Sequence, residues 1–299
     1  MGRTLRLAVL FDRIYSEHHR EMLERWIVAI SIAAFLVHLA AILIARNLAH
    51  PPHFLASAGR NYLSAIYTPF SFILFYEVLV LIWSIPQSIT RSVAAQYEIV
   101  SLIFIRGFFK DIASMNLADL DLADLRQPLR DMMPAFLDVA SGLFMYFLVT
   151  VFRRAARRHF AAPPPEPDPA LKRFVERKKI TALALTVVFV WLAVSSLWQY
   201  EFEIFHTASA VGQSRAAFYS GVFTAMIFTD VLILLLSLLV SDRYESVFRS
   251  AAFVISAILI RFSLTAVHPF GAIFGIVGMI FGIITMLIYN YNARLRESR

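Results

Sequence analysis

The chain has 299 residues, 59% of them hydrophobic and only 16% charged, with a formal net charge of +7 and no cysteine. Soluble domains sit near about 50% apolar and about 25% charged, so this composition, with a mean hydropathy of +0.66, excludes an ordinary soluble domain and defines an all-α, polytopic integral membrane protein. The lack of cysteine rules out disulfides, thiolate-held zinc, iron–sulfur clusters and cysteine nucleophiles, and basic residues that sit mostly in short loops and tails read as contacts for anionic lipid head groups, not as a nucleic-acid surface.

Residues 1–25 are expected to form a cytoplasmic, interfacial amphipathic helix. Leu7, Leu10, Phe11 and Ile14 recur at helical spacing, while Arg6, Asp12, Arg13 and Glu17 take the opposite face. The charges before the first apolar run do not resemble those of a cleaved signal peptide.

Eight spanning helices follow, at 26–45, 62–86, 96–113, 134–153, 179–200, 215–240, 250–268 and 271–291. The runs are continuous rather than alternating, which selects helices over a barrel. The last two are joined by His268-Pro269-Phe270-Gly271, a tight turn suited to an antiparallel pair. With eight crossings both termini share a side, and that side holds 20 of the 28 lysines and arginines. Cytoplasmic termini and a plasma (inner) membrane location are therefore expected.

Between the fourth and fifth spans lies Ala161–Ala170, "AAPPPEPDPA", a semi-rigid spacer within a cytoplasmic linker over 159–178. It separates two tandem four-helix repeats, 26–158 and 179–299. A shift of 153 residues lays Phe70–Ser84 on Phe223–Ser237 and so Glu77 on Asp230. A shift of 155 lays Ser101–Arg106, "SLIFIR", on Ser256–Arg261, "SAILIR". Apolar matches between membrane helices mean little; the matched acids and arginines carry the alignment. Four helices per unit, an even number, give the repeats a parallel orientation about an axis along the membrane normal.

Glu77, Arg106, Asp230 and Arg261 are the candidate binding residues. At a rise of 1.5 Å per residue each lies about 15 Å from its cytoplasmic helix end, so each acid is level with the arginine of the next helix. A charge at mid-membrane costs roughly 2.5–3.5 kcal/mol, so the four are expected to pair or to face water. The arginines stay charged, whereas the carboxylates can become neutral, which makes the acids the candidate proton-linked groups.

Other features are weaker. His38 in the first span reads as an interhelical hydrogen bond rather than a haem ligand, since its repeat equivalent is Trp191. The insertion Asn116–Asp131 carries Asp119, Asp121 and Asp124 without the glycine of a calcium loop, and reads as a short interfacial helix with an acidic outer face or as a partner-docking element. Glu201, Glu203 and His206 are types that bind metals, but Glu201 and Glu203 do not share a helix face. No nucleotide-binding or hydrolase motif occurs, so no enzyme, cofactor or metal site is expected. Two functions fit: movement of a small ion, proton or solute past the paired charges, or a non-catalytic scaffold or accessory subunit of a larger membrane complex. The expected partners are the bilayer with its anionic lipids and a protein partner or second copy of the chain, with no nucleic acid.

Overall fold

The computed structural model describes residues 2–48, 62–114, 126–157, 169–206, 211–238, 244–267 and 269–297, and no strand occurs among them. In chain order the helices are α1 (Gly2–Ile14), α2 (Glu17–Asn47), α3 (Ser64–Ser84), α4 (Ile89–Ser114), α5 (Arg126–Ala155), α6 (Pro169–His206), α7 (Val211–Leu238), α8 (Tyr244–Thr265) and α9 (Phe270–Glu297). Among the described residues seven helices, all but α1 and α7, are long and apolar enough to cross a membrane. The expected span at 215–240 falls on α7, of which Thr224–Leu236 is the apolar stretch among the described residues. Residues 116–125 of the acidic insertion, 161–168 of the spacer, His268 and the side chains of Glu201, Glu203 and His206 lie outside the described residues.

Several helices outrun their apolar runs, because polar residues at a helix end still form backbone hydrogen bonds and can be capped. Ser16 caps α2: its backbone is extended, and its Oγ accepts from the His19 amide at 3.4 Å. That cap divides residues 1–25 into α1 and the first turns of α2. The helix α6 begins at Pro169, so the last part of the 159–178 linker is helical. Proline suits a first helical position, where its missing N–H would have no helical acceptor.

The chain forms two compact units, one of Met1–Tyr15, Val80–Glu98 and Met145–Arg299, the other of Ser16–Leu79 and Ile99–Phe144. In the first, α8 and α9 make the most extensive helix pair. Glycine permits their close approach: a Cβ on Gly278 would lie 3.2 Å from the Ser256 carbonyl oxygen. Ser256 Oγ donates to the Gly278 carbonyl at 2.6 Å and lies 2.6 Å from the Tyr97 hydroxyl. Tyr97 in turn packs edge-on against Phe152, and Phe152 against Phe253.

In the same unit α1 lies against α6, burying Ala8 and Phe11 while Leu7, Leu10 and Ile14 stay exposed. Phe11 thus turns away from the stripe it shares in the sequence. It stacks on Tyr15, whose hydroxyl is 2.6 Å from Thr186 Oγ1 and whose carbonyl accepts from Trp83 Nε1 at 3.0 Å. Lys179 closes the contact on Asp12 at 2.7 Å.

In the second unit His38 Nδ1 lies 2.5 Å from Thr68 Oγ1, an interhelical hydrogen bond between α2 and α3. Phe70 of α3 stacks on Phe109 of α4 with ring centroids 4.6 Å apart. Gly142 lets α5 approach α4, since a Cβ there would sit 3.1 Å from the Ser101 carbonyl oxygen.

Candidate functional site

Glu77 stands on α3 and Arg106 on α4, both in the second unit. Arg106 Nη1 donates to Glu77 Oε2 at 2.6 Å and Nη2 donates to Oε1, a two-pronged grip on the carboxylate. The side chains are only 7% (Glu77) and 13% (Arg106) exposed. A fork matched to both carboxylate oxygens is the strongest geometry available to this pair and fixes the angle as well as the distance between the groups. Beside it, Asp138 of α5 brings its carboxylate against the backbone of Gly107; any Cβ at that position would collide with Asp138 Oδ2.

Asp230 stands on α7 and Arg261 on α8, both in the first unit. Here the arginine donates through Nη1 to Oδ2, engaging one carboxylate oxygen. Arg261 is 4% exposed and Asp230 12%. Asp230 also lines a cavity of about 40 Å³, shared with Ser92, Gln96, Lys178 and Ser250 among apolar residues that include Val93 and Phe253. So the four candidate residues form two acid–arginine pairs of unlike character. Glu77 is gripped through both oxygens, whereas Asp230 is held through one and borders a cavity.

Sequence reasoning passed over three contributors. Lys178 counts by position as one more basic loop residue, yet it is 3% exposed and donates to the Gln87 carbonyl at 2.5 Å, in the turn between α3 and α4. Nothing in "ERKKITAL" separates it from Lys179, which is exposed enough to reach Asp12. Gln96 is likewise buried at the cavity. Asp138 is an acid within an apolar run, a signal as legible as Glu77, but it lacks an acidic repeat equivalent. Among the described residues no cluster of three or more His, Asp or Glu side chains could hold a metal ion.

The seven long apolar helices are those of a multi-pass integral membrane protein. No protein-family model, curated protein or solved structure matches the chain, so its function is argued from its own residues.

Proposed function

We propose that the protein moves a small ion, proton or solute across a plasma (inner) membrane, past the Glu77/Arg106 and Asp230/Arg261 pairs of two tandem four-helix repeats, with both termini cytoplasmic. The observation that carries this reading is the cavity at Asp230, whose largely apolar lining also includes Lys178 and Gln96. Intramembrane ionisable residues bordering water-accessible space are pathway groups by default, whereas a sealed pair is only a fastener. The repeat draws support from the pairing itself, because residues equivalent under the sequence shift make the same kind of contact in each half. On this reading the second pair is the working one and the first holds helix register.

A scaffold or accessory subunit is the second reading, favoured by the fully engaged Glu77 carboxylate; its partners would be a further protein chain and anionic lipid. Proteoliposome flux, with and without a pH gradient, decides between them. Ion or proton flux that is lost in Asp230→Arg/Arg261→Asp but kept in Glu77→Arg/Arg106→Glu supports transport through the second pair. No flux of any common ion, together with stable co-purification of another protein, sinks it in favour of the scaffold.

A further inference from the structure

The cavity beside Asp230 has a charge balance of its own. Its lining carries two charged groups, Asp230 and Lys178. Asp230 is matched by Arg261, which leaves the Lys178 ammonium as the uncompensated charge. An ammonium has three N–H donors. Among the described residues its one hydrogen-bond acceptor is the Gln87 carbonyl at 2.5 Å, with the Phe174 ring centroid 5.6 Å from Nζ. Gln96, only 5% exposed, lines the same cavity and brings its amide to it. Of the lining hydroxyls, Ser250 already donates to the Ser246 carbonyl and Ser92 shares a hydrogen bond with Ser84.

A buried cation without a counter-charge is costly, and an anion in the cavity relieves that cost. We propose that this cavity binds a small monovalent anion of halide size, held by Lys178 Nζ and the Gln96 amide N–H groups. Its volume of about 40 Å³ leaves room for an ion of halide size. The Asp230 carboxylate on the same lining works against the anion. Affinity is therefore modest, and neutralising that carboxylate strengthens it. As a statement about binding, the site stands apart from movement; as the identity of a transported ion, it rests on the transport reading.

The test is thermal unfolding of the detergent-purified full chain in sodium chloride or bromide against sodium gluconate at equal ionic strength. A saturable halide-specific rise in Tm is expected, lost in Lys178→Met, weakened several-fold in Gln96→Leu and tightened several-fold in Asp230→Asn. Gln96→Leu keeps the side-chain volume and the Lys178–Gln87 contact, so it serves if Lys178→Met does not fold. No halide-specific rise, meaning a cavity that holds water alone, overturns the proposal; so does a halide response unchanged in Gln96→Leu or Lys178→Met. Halide binding without flux keeps the site and removes transport. Cation or proton flux without halide binding does the reverse.

Discussion

A guanidinium cannot escape burial by losing its proton, so Arg106 and Arg261 depend on their carboxylates. Removing a carboxylate leaves the arginine stranded, which costs about 3–5 kcal/mol, while replacing both members by apolar residues of similar volume is close to neutral. We expect Glu77→Ala to destabilise by that amount and Glu77→Leu/Arg106→Met to recover most of it, measured as Tm in detergent. Equal losses in the single and double variants would show that the two groups do not act as a pair. The same comparison at Asp230 and Arg261 should recover less, because the double variant still leaves Lys178 and Gln96 facing an enlarged apolar gap. At this scale the sequence shows which residues are charged and at what depth. It does not show how many oxygens an arginine reaches, since that depends on the rotation of each helix.

Helices find their lengths from hydrogen bonding and capping, but their neighbours from side-chain size. The apolar runs make the helices legible, and their ends are not, because Ser16 and Pro169 permit helix to extend into charged sequence. The spacing Gly278-x-x-x-Gly282 on α9 is a legible sign of close packing. Its partner Tyr97 is not legible: its position reads only as the edge of an apolar run. A Cβ at Gly282 would run into the Tyr97 hydroxyl, so Gly282→Ala should destabilise by about 1–3 kcal/mol through overpacking. Tyr97→Phe removes the colliding oxygen and should recover much of that loss in Gly282→Ala, although alone it sacrifices the Ser256 contact, worth about 1 kcal/mol. Additive losses in the double variant would refute the contact. At α1, burial raises the Tyr15 phenol above its ordinary value of 10.0. The folded state then holds the proton more tightly than the unfolded one. The stability this contributes is complete below about pH 10 and declines as pH rises through the raised value. Hydrogen exchange over α1 should accelerate in that range in the natural chain, and Tyr15→Phe should flatten the dependence.

For the whole molecule, membrane topology follows from a sum over loops that no single contact can supply. The sequence makes the number of apolar runs and the asymmetry of their flanking charges legible. It leaves hidden that Lys178, counted among those flanking charges, is buried at a cavity. Removing one member from a set of 20 against six does not reverse the bias, so the cytoplasmic assignment of the turn holding Gln87 and Ser88 stands as an expectation. Val267, between α8 and α9, is 80% exposed and is assigned to the opposite side. The chain contains no cysteine, so single substitutions need no altered background. Ser88→Cys and Val267→Cys, each in intact cells, should separate cleanly with a membrane-impermeant maleimide: Val267→Cys labels at once, and Ser88→Cys only after the membrane is opened. Labelling of both from outside would mean an even number of crossings between them. The two halves would then be inverted rather than parallel, and the axis relating Glu77 to Asp230 would lie in the membrane plane instead of along its normal.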